Sequence, residues 1–522
     1  MKYKNRLTTV IIPAIFFGSV TGFLTSVVIL IYKLCARYVI HLSERGYEEL
    51  RGHLYFVPLV LVGFVAVAYV LAKVYKNAPN LRGGGIPTSI TVLRGIITFK
   101  WVRNIAGIFV LSLSSFLMGV PLGNEGPSVQ MGTAIGSGTM HLFPKKYRAW
   151  SRYSMTGGAC AGFSVATGAP ISGILFAIEE AHQRISPTII TFATVSVLTA
   201  NISAELLAPI FNISISLFPE SEVIRLGTKH LLLAAVIGLA MGIFASLFLN
   251  YYKIINKFSN KLLRKIPHWV KIFGVLTLTL VAGLVSTSYI STGHELILSL
   301  TEGNTPILTL LLIIAVRSTL TLLANTNRLT GGIFIPILTL GALLSSLLAR
   351  CLESAFSLSP SFYAVILALG MSACIASLMK MPITAIAFGI EALGCGENIL
   401  HLVVVCTVSY VITEMFGVKS INDKVIEDKI HEYSRKHHPK LIDTFVKIEE
   451  NAFAVGKEIR DIFWPAGLFV LSTTHSKENA DKHTHKEGLR ESDTLHIRYT
   501  TCDEERSQQE LDAITKNLSK GK

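Results

Sequence analysis

A glutamate inside an apolar stretch is the residue of this chain that most needs a chemical explanation. Glu125 stands in Gly123-Asn124-Glu125-Gly126-Pro127, with strongly apolar sequence around it. An ionisable group at membrane depth is costly and marks an ion or proton path by default. Two glycines and a proline predict irregular backbone that opens a helix. A helix N-terminus presents unbonded N–H groups and the positive end of a dipole, which suits an anion. A titratable acid placed there can compete with an anion when ionised and carry a proton when neutral, the chemistry of a proton-coupled anion pathway. The plainer reading, an acid that balances a helix dipole, leaves the broken apolar setting unexplained.

More acids sit in a repeat. Residues 170–179 read PISGILFAIE and residues 382–391 read PITAIAFGIE, an offset of 212. Pro127 and Gly132 in GPSVQMG match Pro336 and Gly341 in IPILTLG at an offset of 209. Two similar offsets argue for an old duplication, with halves at about 10–205 and 225–417. Internal repeats, often inverted, are a transporter signature, with the ion site formed by discontinuous helices where the repeats meet. Glu179 corresponds to Glu391, so a shared structural role near a helix end is expected for both. Glu180 corresponds to Ala392, and an acid present in one half alone suits a task performed once. Pairing of Glu180 with His182 or Arg184 is the structural alternative.

Composition fixes the setting. With 522 residues, 51% of them apolar, and a mean hydropathy of +0.52, the chain reads as an all-α polytopic membrane protein. Apolar runs recur near 10–32, 55–74, 104–122, 188–204, 229–250, 270–288, 307–324, 332–349, 361–378 and 398–416. Several are too short or too glycine-rich for a straight span, so broken and re-entrant helices are expected. The net charge is +14, yet residues 418–522 carry 18 Lys and Arg against 19 Asp and Glu, so the excess lies before them. Positive-inside loops explain most of it, with an electropositive vestibule as a further contribution. Nucleic acid is not an expected partner of so apolar a chain. The opening Met1-Lys2-Tyr3-Lys4-Asn5-Arg6 leads into an apolar run without a small-residue cleavage site, which predicts a retained first helix and a cytoplasmic N-terminus. The seven cysteines show no paired spacing and read as reduced packing residues.

Near residue 418 the character changes. Residues 422–440 read as an exit helix and linker. Beyond them TFVKIEE, AGLFVLST and TLHIRYT alternate like strands, GKEIRDI reads as a short helix and ERSQQELDAIT as a closing one. The expected layout is a transmembrane domain over 1–425, a linker over 426–440 and a small α+β domain over 441–520. His437, His438, His483 and His485 lie in charged stretches without a completed ligand set, so no metal is expected. No nucleophile triad, zinc-protease helix or phosphate loop is present, so no enzyme activity is expected.

Over about residues 10–425 the sequence resembles the CLC family of chloride channels and proton-coupled chloride antiporters. Gly83-Gly84-Gly85-Ile86-Pro87 resembles that family's Gly-Ser-Gly-Ile-Pro, Gly123-Asn124-Glu125-Gly126-Pro127 its Gly-Arg-Glu-Gly-Pro, and Gly331-Gly332-Ile333-Phe334-Ile335-Pro336 its Gly-Gly-Ile-Phe-Ala-Pro. GILFAIEE, ending at Glu180, also matches. The resemblance implies a homodimer in the inner membrane, both termini cytoplasmic, with one pathway per subunit and no cofactor beyond transported chloride and protons. It implies anion contacts around Gly84, Gly85, Ile86, Pro87, Gly123, Gly126, Ile333 and Phe334, an external gate at Glu125 and an internal proton-transfer acid at Glu180, favouring an antiporter over a passive channel. Three positions depart from the pattern. Gly84 stands for Ser, Asn124 for Arg, and Asn422 falls where a family tyrosine contacts the anion. A fluoride-exporting branch also departs around these motifs, but Ile333-Phe334 follows the chloride type.

The tail, over about 441–517, resembles the C-terminal subdomain of regulators of potassium conductance (TrkA-C). The residues that carry this are Val455-Gly456-Lys457-Glu458-Ile459-Arg460, Trp464-Pro465-Ala466-Gly467 and Asp493-Thr494-Leu495-His496-Ile497. Ser492-Asp493 replaces that family's Gly-Asp. The resemblance implies a dimerising module that senses a small-molecule ligand. It does not imply potassium transport, since no Gly-Tyr-Gly carbonyl filter appears.

Overall fold

The computed structural model describes residues 10–218, 223–261, 264–301, 305–353, 360–436, 439–474 and 488–517. His437, His438, His483 and His485 lie outside them, as does the basic opening segment.

The first half contains α1 (Ile12–Gly52), α2 (Val57–Asn77), α3 (Ile86–Leu93), α4 (Trp101–Leu117), α5 (Glu125–His141), α6 (Ser151–Thr167), α7 (Pro170–Phe176) and α8 (Pro187–Phe211). The second half contains α9 (Leu231–Lys261), α10 (His268–Val285), α11 (His294–Leu300), α12 (Ile307–Thr326), α13 (Phe334–Glu353), α14 (Pro360–Leu378), α15 (Pro382–Glu391) and α16 (Ile399–Met415). Eight helical segments among the described residues are long and apolar enough to cross a membrane. Each apolar run of the sequence falls on a helix. Helices α3, α5, α6 and α7 lay outside those runs. Of these, α5 and α6 are rich in Gly, Ser, Thr and Ala and are buried along nearly their whole length. Their small side chains let backbones touch: a Cβ on Gly132 would lie 2.0 Å from the carbonyl oxygen of Gly158.

The repeat supplies its own capping. Helices α7 and α15 both begin with proline, and neither N-cap residue closes a side-chain hydrogen bond. Each start is instead served by the other half's acid. Glu179 accepts from the Ile383 amide at 3.0 Å and the Thr384 amide at 2.7 Å. Glu391 accepts from the Ile171 amide at 2.6 Å and the Ser172 amide at 2.8 Å. The shared role expected of the two acids is therefore reciprocal capping, which satisfies orphan donors where lipid offers no acceptor.

Helix α17 (Ile421–Lys436) leaves the membrane portion and runs unbroken through position 426, so much of the stretch expected to be linker is helical. Arg82 grips Glu432 at 2.9 and 3.1 Å, and Arg328 reaches Asp428 at 3.2 Å, tying α17 to both halves. The tail follows: β1 (Lys440–Lys447), β2 (Phe469–Thr474), β3 (Thr494–Thr501) and α18 (Glu504–Thr515). The sheet is antiparallel in the order β1-β3-β2. Leu495, Ile497 and Tyr499 of β3 alternate into a core with Ile448, Ile462 and Leu511. Ser492 sits at φ +67°, a conformation that suits the glycine of the family it resembles.

The tail is docked rather than tethered. Phe463 is buried, with its ring centroid 4.5 Å from that of Tyr153 and 4.7 Å from that of His182, between the guanidinium groups of Arg152 and Arg184. The Asp461 carboxylate accepts from the Ser186 hydroxyl at 2.9 Å, and its carbonyl accepts from the Tyr153 hydroxyl. Arg152 donates to the Trp464 carbonyl.

Two outcomes follow from this packing. Glu391→Ala or Glu179→Ala should each lower unfolding stability by about 2–4 kcal/mol, as loss of charge-assisted hydrogen bonds to amides predicts; denaturation in mixed micelles reads it, and a wild-type midpoint would remove the caps from the fold's support. Phe463→Ala should weaken docking by about 3 kcal/mol, exposing the Tyr153 region to faster hydrogen exchange while the tail's own strands stay protected.

Candidate functional site

Three helix starts converge. The Gly123 amide donates to the Gly332 carbonyl at 2.7 Å, and the Gly332 amide returns a bond to Gly123 at 2.6 Å. The Gly83 amide donates to the Arg328 carbonyl at 3.0 Å, and Thr330 ties both loops through Tyr75 and the Leu81 carbonyl. The turns before α3, α5 and α13 thus form one unit. A Cβ on Gly126 would lie 1.8 Å from the Gly84 oxygen and 2.9 Å from the Gly332 Cα, so the backbones leave no room for a side chain. Gly85 has φ +81° and its own Cβ would meet the Gly126 oxygen at 2.1 Å.

The first intrahelical bonds of two of these helices run from Ser128 to Asn124 and from Ile337 to Ile333. The amides before them have no partner within their own helix, and Pro127 and Pro336 have no N–H to offer. The result is two helix starts meeting at one buried place.

Glu125 occupies that place. Its side chain is fully buried at the first position of α5, and neither carboxylate oxygen closes a hydrogen bond. Its own amide and that of Ile335 face it, and Lys33 on α1 is the cation whose field reaches it. An unpartnered buried carboxylate is expensive unless something else takes its turn there. Ile86, Pro87, Ile333 and Phe334 are buried around the turns. The Phe334 ring is held edge-on by Phe163 at 5.3 Å and Phe388 at 5.2 Å.

Glu180 is buried too, in a π-helical stretch over Ala177–His182 that extends α7. Its Oε1 accepts from the Asn422 side-chain amide at 2.9 Å. Asn422, expected at the anion, gives one of its donors to Glu180. The alternative partners are engaged elsewhere: His182 with Thr156 at 2.9 Å, and Arg184 over Phe463. Arg94 caps the stretch, donating to the carbonyls of Glu180 at 3.1 Å and Ala181 at 3.0 Å. Sequence reasoning missed Arg94 and Lys33; the position of Lys33 directly after the first apolar run was the available signal for it. Among the described residues, no group of three or more His, Cys, Asp or Glu is placed to hold a metal.

The family model described as voltage gated chloride channel matches residues 62–414, more than half of the chain. The H(+)/Cl(-) exchange transporter ClcA of Klebsiella pneumoniae is 27% identical over 428 residues, covering 80% of this chain and 89% of that protein. The protein of that name from Salmonella typhimurium is 27% identical over 430 residues, covering 79% and 88%. Among solved structures, a slow cyanobacterial Cl-/H+ antiporter superposes with a TM-score of 0.71 at 24% identity, covering 80% of this chain and 98% of that one. A CLC-type fluoride/proton antiporter superposes with a TM-score of 0.62 at 22% identity, covering 77% and 96%.

The turns differ in what they tolerate. A Cβ on Gly84 meets its nearest atom, the Gly331 oxygen, at 3.7 Å, an ordinary contact. Gly84→Ser should therefore yield monodisperse protein on size exclusion in detergent, whereas Gly126→Ala should lose most of its folded yield. Equal yields would show that the contact of the turns is not required.

Proposed function

This chain belongs to the voltage-gated chloride channel family, and on that premise we propose that it exchanges chloride for protons across a membrane. The observation that carries this reading is Glu125: a buried acid without a hydrogen-bond partner, facing amides at the starts of α5 and α13. When ionised it holds the place an anion would take. When protonated it loses its attraction to the dipoles, swings aside and admits chloride, carrying its proton with it. Gly84, Gly85, Ile86, Pro87, Gly123, Gly126, Ile333 and Phe334 line the anion route by their place at the three turns. Glu180 passes protons between Glu125 and the tail side, where Asn422 steadies it. The ClcA relatives, named as H(+)/Cl(-) exchangers, support exchange over passive conduction.

The wider arrangement follows the same reading. The tail side is cytosolic, two copies assemble as a dimer in the inner membrane, and residues 441–520 form a TrkA-C-like regulatory module. The Phe463 contact with His182, two residues from Glu180, supports a regulatory role for that module. One observation favours looser, more channel-like coupling: Asn422 stands where the family has a bulky tyrosine.

Purified protein in liposomes decides between exchange and conduction. A chloride gradient should drive protons uphill, and the reversal potential should shift with the pH gradient; a potential blind to pH would leave only a passive channel. Glu125→Gln should cut proton movement at least about tenfold, the scale of a lost proton-transfer group, with part of the chloride flux retained. Glu180→Gln should weaken coupling and spare anion binding. Wild-type coupling in Glu125→Gln would remove that residue from the mechanism.

A further inference from the structure

Away from the three turns, a cavity of about 210 Å³ opens between α17 and the loops that precede α3 and α13. Arg82, Arg328 and Lys429 line it, with Glu432 and Thr98. The two arginines are partly engaged. Arg82 gives one terminal nitrogen to Glu432 and its Nε to the Pro79 carbonyl, and Arg328 gives one terminal nitrogen to Asp428 and pairs the other with Glu432 at 3.9 Å. Lys429 differs. It is 7% exposed and closes no hydrogen bond or ion pair with any described residue, although its side chain borders the cavity. Most of its side chain is covered by protein while the ammonium opens on the cavity, so its donors are left for a group bound there. Burial, with Arg328 and Arg82 nearby, pushes its ammonium down to about 7.

We propose that this cavity is a regulatory binding site for a phosphate-type oxyanion, with Lys429 as its central ligand and Arg82 and Arg328 as flanking forks. Three points favour an oxyanion over a lone halide. The cavity is wider than one halide needs. The lysine makes no hydrogen bond with any described residue, Arg82 keeps its Nη1 outside the Glu432 pair, and Arg328 meets Glu432 only at 3.9 Å, so cationic groups border the cavity from three elements. Planar forks beside an ammonium match the several acceptors of a tetrahedral oxyanion. The position suits regulation. Asp428 and Glu432 hold α17 to the loops of both halves, and the same helix begins with Asn422, which bonds Glu180. An oxyanion here would compete with those carboxylates and reset the helix that joins the tail to the membrane portion. The binding claim is independent of the exchange reading.

The test uses the full chain in detergent at fixed ionic strength and pH. Inorganic phosphate should raise the thermal midpoint saturably, as a ligand selective for the folded state does. Lys429→Met and Arg82→Gln should each weaken that response at least about tenfold, the loss expected when one member of a buried charge contact is truncated. A soluble short-chain phosphatidic acid that binds tighter than phosphate, with the same dependence on Lys429, would identify a lipid headgroup as the source; equal binding would indicate free phosphate. Absence of a saturable shift in the wild-type protein would overturn the proposal. So would an undiminished shift in both variants, or a Lys429-dependent shift from chloride that phosphate fails to produce. Because midpoints are read without transport, a failed flux assay leaves this result standing, and the reverse also holds.

Discussion

Everything in this protein rests on backbone touching backbone at three glycine turns. Bringing the starts of α3, α5 and α13 together leaves amides with no partner in their own helices, in a region where neither lipid nor apolar side chains can accept hydrogen bonds. That arrangement requires negative charge from elsewhere. Glu125 lies at the spot, fully buried, so the site contains both the demand for an anion and one group able to meet it reversibly. Close approach is essential to the geometry: with a side chain at Gly126 the turns would move apart and the dipoles would no longer share a focus.

The two halves depend on each other by the same logic. Glu179 and Glu391 each satisfy helix-start amides in the opposite repeat, so neither half can complete its own hydrogen bonds alone. Beside these matched acids the halves diverge. After α7 the first repeat winds as a π-helix and buries Glu180, whereas α15 ends at Glu391 and is followed by Ala392. A π-helical bulge offsets the side chains that follow it, a device that recurs at functional positions. Symmetry supplies the scaffold, and the local break buries an acid that the second half lacks at the corresponding position.

That same short segment meets the tail. Glu180 takes a hydrogen bond from Asn422 at the head of α17, and His182 packs on Phe463 from the tail domain. The tail therefore has two physical connections to the π-helical stretch, one through a covalently continuous helix and one through an aromatic wedge. The aromatic contact is made by the buried Phe463, so a movement of the tail changes the surroundings of the segment.

What the sequence determined was what depends on local chemistry. Long apolar runs specified the spanning helices, the Gly/Pro clusters marked the broken starts, and alternation followed by a polar helix outlined the tail sheet and α18. The repeat predicted a common role for Glu179 and Glu391, because equivalent positions in duplicated folds meet equivalent surroundings. Helix α6 lacked an apolar run, since a helix buried among other helices gains from small residues and loses the signature that lipid-facing helices need, and α5 was marked only by its Gly/Pro start. Contacts between distant residues were decided by the tertiary structure alone: Asn422 on Glu180, Arg94 on the carbonyls of the π-segment, Phe463 against His182, and Lys429 buried in a cavity between two loops and a helix. Such partners are set by how whole elements pack, and no pattern within either segment records the distance to the other.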